Sequence, residues 1–304
     1  MAIEALPTFD LVVATVGRSA ELRRLLDSLA TQTYRRFRLL VVDQNDDDRV
    51  ESVLSSAAGM KIVRFRSARG LSRARNVALP HVEADIVAFP DDDCIYPPDL
   101  LERVARRLAG SPKLDGVTGR ASDAAGRSSP SWPVTPGLLG SETTWNRATS
   151  FAIFLRRETV LRVGRFDEEL GLGASGPWSS GEETDFVIRA VLAGAQIAYD
   201  PGLVVTHELR SWSAQELRAI GARDGASVGY ILAKHRFRAR HVARMLVRPI
   251  GGTAVSLAHG DLARAGFQLA GLRGRLRGYR GGRADAGSAR EAGEQLGVPI
   301  QPGS

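Results

Sequence analysis

Four short apolar runs, Phe9 to Ala14, Phe37 to Val42, Ile62 to Phe65 and Ile86 to Phe89, are separated by stretches of helical periodicity, and this alternation constrains the chain more than any other feature. Strands that apolar, spaced by helices, predict a parallel, doubly wound sheet covered on both faces. The first spacer carries leucines at 22, 25, 26 and 29, one face of a helix over 19–32. Further helical patterns fall over 71–79 and 97–109. After a loop-rich stretch from Ala121 to Ser141, the pattern predicts a strand at Phe151 to Leu155 and a short helix at Arg157 to Val163. A helix at Glu183 to Ala193 and two short strands, Ile197 to Tyr199 and Val204 to Thr206, follow. From Ala214 onward the chain reads as helical but broken by glycines. At 304 residues and 43% hydrophobic it can bury one large domain or one and a half.

Charge divides the chain. Between Ser211 and Arg283 stand 14 Lys and Arg against three acids, a local charge of +11 in a chain of net +7, so the rest is mildly acidic. A basic helical segment of this kind is expected to meet an anionic membrane surface. Its aromatics are few and not interleaved with the arginines, which argues against single-stranded nucleic acid. No run of about 20 apolar residues is free of charge and no basic-then-apolar leader is present, so a cytoplasmic location is expected, peripheral at the inner membrane face where the basic segment docks. The single cysteine, Cys94, has no disulfide partner and no zinc-like cluster beside it.

The chemistry sits where strands end. Asp91, Asp92 and Asp93 follow the fourth strand, at the sheet edge where open α/β proteins bind ligands, and carboxylate oxygens there suit Mg²⁺ or Mn²⁺ and a phosphate-bearing substrate. Read alone, the triplet is equally a solvated acidic turn before the helix that Pro97 and Pro98 introduce.

Five segments together, Thr15-Val-Gly-Arg18, Val41-Val-Asp43-Gln-Asn-Asp46, Arg69-Gly-Leu-Ser-Arg-Ala-Arg75-Asn76, the Asp91 to Asp93 triplet and Gly181-Glu-Glu-Thr-Asp185-Phe186, resemble in order the family 2 glycosyltransferases over residues 8–210. The resemblance implies a GT-A type doubly wound, mainly parallel, Rossmann-like sheet over 1–210, a basic helical extension over 211–283 and a flexible tail over 284–304. It implies a metal-dependent inverting transfer of a sugar from a nucleotide-diphosphate donor of UDP, GDP or dTDP type to a hydroxyl of a glycan or lipid-linked acceptor. Thr15, Arg18 and Asp43 match the loops that hold base and ribose, and Arg69, Arg73 and Arg75 the basic contacts to the diphosphate. By the same resemblance Asp93 is the primary ligand of Mg²⁺ or Mn²⁺. Asp91 holds ribose or a metal-bound water and Asp92 borders the donor, on the bland reading a solvated neighbour. His207, in Val204-Val-Thr-His207-Glu208, is the third ligand candidate.

Glu182 and Glu183 match the segment whose second acid is the general base, which makes Glu183 the first choice, with Glu182 and then Asp185 as contenders. Trp178, upstream in a glycine-rich loop, is expected to stack on an acceptor sugar. Thr149-Ser-Phe-Ala-Ile-Phe departs from the asparagine-rich run of many relatives. Two alternatives remain open: a phosphohydrolase of the haloacid-dehalogenase type with Asp91 as nucleophile, and an inactive GT-A-like protein that only binds membrane. An oligomer is compatible with everything above.

Overall fold

The computed structural model describes residues 6–57, 59–129, 131–207 and 212–295. Residues 208–211, where the border between the first domain and the extension is expected, and 296–304 of the expected tail lie outside the described residues, as does Glu208. The chain divides into two compact units, Met1–Glu168 with Glu182–Arg210, and Glu169–Gly181 with Ser211–Ser304.

The first unit is built on a nine-stranded sheet among the described residues, in the order β3-β2-β1-β4-β8-β6-β9-β5 with β7 beside β9. Strands β1 (Phe9–Thr15), β2 (Phe37–Asp43), β3 (Lys61–Arg66) and β4 (Ile86–Ala88) run parallel. Side chains alternate across a strand, so Leu11, Val13, Leu39 and Val41 enter one core and Val12, Leu40 and Val42 the other. Helix α1 (Ser19–Ala30) buries Leu22, Leu25, Leu26 and Leu29 on the first face, and α3 (Leu71–Ala78) places Ala74 and Ala78 on the second. Helix α2 is Glu51–Ser56 and α4 is Leu100–Ala109.

Three departures from the sequence reading have physical causes. First, β8 (Ile153–Arg156) runs antiparallel to both β4 and β6, because the chain returns from β6 through a loop without a crossover helix. The sheet is therefore mainly parallel, as the family resemblance implies, although the strand pattern alone predicts a wholly parallel one. Second, β6 (Gly116–Ser122) is a strand that its Gly-Val-Thr-Gly-Arg-Ala-Ser sequence hides. Its glycines allow close approach: a Cβ on Gly116 would lie 2.5 Å from Leu155 Cδ2, and one on Gly119 would strike the Leu203 carbonyl oxygen. Third, the two short strands expected near 197 and 204 are one, β9 (Ile197–His207). Thr118 faces Tyr199 and Arg120 faces Val204, so Asp200-Pro201-Gly202 bulges out of a continuous strand instead of ending it. The short strands β5 (Cys94–Ile95) and β7 (Gly137–Leu138) and the helices α5 (Arg157–Val163) and α6 (Glu182–Leu192) complete this unit. Cys94 is buried.

The second unit is helical: α7 (Ala214–Lys234), α8 (Ala239–Ala258) and α9 (Leu262–Gln295). A capping box starts α7, with Ser213 and Glu216 satisfying each other's backbone N–H groups. The glycines that look like helix breakers lie inside continuous helices and form the contact between α7 and α9. Gly221 meets Phe267, Gly225 meets Gly271 and Gly229 meets Arg275, a constant offset that sets the two helices parallel. Among the described residues no helix is long and apolar enough to cross a membrane.

Candidate active site

The parallel register brings Thr15 of β1 and Asp43 of β2 level with each other at the carboxyl edge of the sheet, and the chain leaving β4 delivers Asp91 to Asp93 to the same edge. Antiparallel pairing of β5 with the end of β9 sets His207 opposite Cys94, one residue from Asp93. His207 Nε2 lies 3.1 Å from Asp93 Oδ1, and its ring stacks on Phe151 at 4.8 Å between centroids. Asp91, Asp93 and His207 each offer one donor atom within 4.8 Å of the others. Two carboxylates and an imidazole so converged suit a divalent cation of the Mg²⁺ or Mn²⁺ kind, so these residues fit the metal that the sequence suggests.

The three aspartates have distinct surroundings. Asp91 accepts from Ser150 Oγ at 3.0 Å on both oxygens and faces Arg75 Nη2 at 3.4 Å, and burial pushes its pKa up. Asp92 is 5% exposed, not a solvated neighbour: Thr15 Oγ1 donates to it at 2.8 Å and Arg18 Nη1 at 3.0 Å. Its burial outweighs those two contacts and raises its pKa to about 6. Asp93 takes the same Arg18 Nη1 at 2.7 Å. Arg18 thus bridges two of the three acids, and Thr15 is buried behind them.

Downstream, the first turn of α6 separates the two glutamates. Glu182 is 4% exposed and paired with Arg75 at 2.8 Å. Arg75 itself is 2% exposed, 5.3 Å from the Phe166 ring centroid and 5.8 Å from that of Phe89. It is an interior cation linking Asp91 to Glu182. Glu183 has no ion-pair partner among the described residues and lines a small pocket with Arg75, Ser150, Phe166 and Phe186. Desolvation there, then repulsion from Glu182, lifts its pKa well above the usual carboxylate range. Asp185 is fully buried and paired with Arg189 at 2.9 Å, and Arg189 also donates to the carbonyls of Val163 and Arg165. That arrangement fastens α6 to α5 and the loop after it.

Other expected residues lie apart from this cluster. Burial tends to raise the pKa of Asp43, but Asn45 N at 2.9 Å, Arg64 Nη2 at 2.7 Å and Arg66 Nη1 at 3.1 Å overcome it and hold the group ionised. Arg69 is exposed, and Arg73 is exposed and paired with Glu168 at 3.1 Å. Trp178 belongs to the helical unit, where its ring is 7% exposed, stacked on Tyr230 at 5.2 Å and backed by Gly281. An acceptor sugar finds no open face on it, which corrects that expectation. Sequence reasoning passed over Ser150 and Phe151, which orient Asp91 and His207. The one signal was a hydroxyl beside an aromatic just before an apolar strand. It also passed over Asn76, which clasps the backbone of Phe166 through donor and acceptor at 2.9 and 2.7 Å.

Residues 10–162 match the family model described as glycosyl transferase family 2. An uncharacterized glycosyltransferase of Haemophilus influenzae is 25% identical over 186 residues, 59% of this chain and 60% of that protein. A pre-mycofactocin glycosyltransferase of Mycobacterium tuberculosis is 27% identical over 248 residues, 74% of this chain and 47% of that one. The chain thus spans 60% and 47% of the length of these two relatives, less than two thirds of either. Among solved structures, the mannosyltransferase PcManGT of Pyrobaculum calidifontis, in complex with GDP-Man and Mn²⁺, shares the fold with a TM-score of 0.65 at 17% identity, over 90% of this chain and 88% of that one.

Proposed function

The chain belongs to glycosyl transferase family 2, and from that premise we propose that it moves a sugar, with inversion, from a nucleotide-diphosphate donor to a hydroxyl of a glycan or lipid-linked acceptor, using a divalent metal. The observation that carries this reading is the convergence of Asp91, Asp93 and His207 at one sheet edge, with a carboxylate of raised pKa, Glu183, near enough to feel the charge of Asp91. Family membership removes the phosphohydrolase alternative. The presence of both the cation donors and a base argues against an inactive relative.

Asp91, Asp93 and His207 would hold Mg²⁺ or Mn²⁺, which offsets the negative charge that grows on the departing diphosphate. Ser150 and Arg75 fix the Asp91 carboxylate, and Phe151 fixes the His207 ring, so the donor set is preorganised. Glu183 takes the proton of the acceptor hydroxyl. The oxygen forms its bond to the anomeric carbon as the bond from that carbon to the diphosphate oxygen breaks, and the electron pair leaves with the nucleoside diphosphate. Glu182, held by Arg75, keeps its charge, raises the basicity of Glu183 and does not take the proton. Asp185 and Trp178 have structural parts. Exposed Arg69 and Arg73 are the arginines left for the donor's phosphates. Asp43, already held by Asn45, Arg64 and Arg66, meets the base as a preset acceptor, with Thr15 and Arg18 shaping the ribose side through Asp92.

Thermal-shift titration of UDP, GDP and dTDP with Mn²⁺ tests the metal and diphosphate assignment. A nucleotide at a hundred times its Kd stabilises the fold by about 2.7 kcal/mol, and Asp93→Ala is expected to abolish that gain. No nucleotide stabilising the wild type, or an unchanged gain in the variant, would overturn the assignment.

A second expectation concerns Arg75. Arg75→Met leaves Glu182 buried without its partner, a change that costs about 3–5 kcal/mol when one half of a buried pair is removed. The double variant Arg75→Met with Glu182→Leu is expected to regain most of that stability in urea denaturation while remaining inactive, since Asp91 has then lost its arginine.

A further inference from the structure

Between Arg236 and Ala258 the chain carries five arginines and no acid. Helix α8 occupies most of this stretch, and its inward face is fixed by His241, Val242, Met245, Pro249, Thr253 and Ser256, all buried at helical spacing. Met245 is 7% exposed and points inward. The outward face is apolar: Val247 is 58% exposed, Ile250 51% and Leu257 53%. At 100° per residue these three fall within an arc of about 80°. Arg240, Arg244 and Arg248 follow one flank of that stripe, and Arg244 and Arg248 are exposed. Just past the turn into α9, Leu262 adds a side chain 69% exposed. Apolar side chains scattered singly over a surface need no explanation, but a continuous stripe along one helix does.

On this ridge Arg244 Nη2 lies 2.7 Å from His241 Nδ1, and Arg248 lies near the like charge of Arg275. Arg275 of α9 reaches under α8 to donate to the Met245 carbonyl, while its Nε has no hydrogen-bond partner. Burial and the like charge of Arg248 push the Arg275 pKa down to about 10. Neither arginine makes an ion pair with a carboxylate among the described residues. A helix bearing an exposed apolar stripe flanked by guanidinium groups fits a surface that offers hydrocarbon at one depth and phosphate at the next, because arginine stems cover apolar surface while their heads bind phosphate oxygens. The helix is not apolar enough to cross a bilayer.

We propose that α8 is an in-plane docking helix for an anionic phospholipid bilayer, with Val247, Ile250 and Leu257 entering the headgroup–acyl boundary and Arg240, Arg244 and Arg248 meeting lipid phosphates. This placement draws nothing from the transferase reading.

The test is co-sedimentation of the full chain with vesicles of phosphatidylglycerol mixed into phosphatidylcholine, compared with phosphatidylcholine alone. The wild type is expected to sediment with the anionic vesicles and to release as salt rises. Ile250→Glu with Leu257→Glu removes two inserted side chains and is expected to weaken binding at least about 100-fold. Arg244→Glu with Arg248→Glu is expected to weaken it and to remove its salt dependence. Ile250 and Leu257 are exposed, so the circular dichroism melt of that variant should match the wild type. Equal binding to both vesicle types, no binding, or binding untouched by either pair would overturn the proposal. So would a dimer in light scattering that Val247→Glu converts to monomer, since a second copy would then cover the stripe. Sedimentation needs neither donor nor acceptor, so its failure is separate from failure of the enzymatic reading.

Discussion

Glu183→Gln is expected to lower kcat by about 10²–10⁴-fold, the usual contribution of a positioned general base, while leaving donor binding and the fold intact. The side chains are nearly equal in shape, so the pocket formed with Arg75, Ser150, Phe166 and Phe186 keeps its packing. Thermal-shift gains with nucleotide and Mn²⁺ should match the wild type, because Glu183 is not among the cation donors. Glu182→Gln separates the two glutamates. It weakens the buried contact to Arg75 and should act mainly on stability, with a smaller effect on kcat. If Glu182→Gln proved the more damaging to kcat at equal stability, the assignment of the base would have to be exchanged.

The pH dependence follows from the direction of the shift. The folded-state pKa of Glu183 is raised above its unfolded value, so the folded protein holds that proton more tightly. Ionising Glu183 therefore costs stability, a cost absent below the unfolded carboxylate pKa of about 4.3 and growing as pH rises through the folded value. Glu183→Gln is accordingly expected to raise the melting temperature at alkaline pH and to leave it unchanged in acid. Activity moves the other way. The base must be unprotonated, so wild-type kcat/KM should rise with pH beyond the range in which ordinary carboxylates titrate, and residual activity of the variant should lack that limb. A flat wild-type profile would remove Glu183 from the proton transfer.

Sequence reached the sheet edge but not the contacts across it. A sheet of parallel strands could be anticipated because β1, β2 and β4 are apolar on both faces, and the ends of β2 and β4 carry the acids. What escaped were contacts made by long or small side chains between distant segments. Arg18 crosses 74 and 75 residues of sequence to reach Asp92 and Asp93, and Arg75 spans 107 to reach Glu182. In a linear reading those arginines look like free cations awaiting phosphate. Asp92 likewise looked solvated, because nothing local announces that Thr15 and Arg18 will bury it. Strand β6 escaped for the opposite reason: Gly116 and Gly119 remove side chains so that Leu155 and Leu203 can approach, and the absence of a side chain leaves no apolar pattern to read.

Glycine misleads most in the helical unit, where the second large effect is expected. Replacing Gly with Ala inside a helix ordinarily stabilises it by about 1 kcal/mol. At Gly251, on the outer part of α8 with nothing near its Cα substituent position, that ordinary gain is expected. At Gly229 and Gly278 the sign should reverse. A Cβ on Gly229 would fall well inside contact distance of the Arg275 carbonyl, and one on Gly278 inside that of Ala226, so neither has a flexible side chain to yield. The backbones of α7 and α9 themselves would have to separate along their length. Overpacking costs about 1–3 kcal/mol per site when neighbours can adjust, and here the opposing atoms are backbone, so Gly229→Ala and Gly278→Ala should each lose at least that much after the propensity gain is overcome. Gly229→Val with Gly278→Val is expected to melt the α7–α9 pair altogether. Urea denaturation followed by far-ultraviolet circular dichroism reads all of these variants, and Gly251→Ala is the internal control for propensity. Should Gly229→Ala and Gly251→Ala shift the midpoint in the same direction, close backbone packing is not what holds α7 against α9.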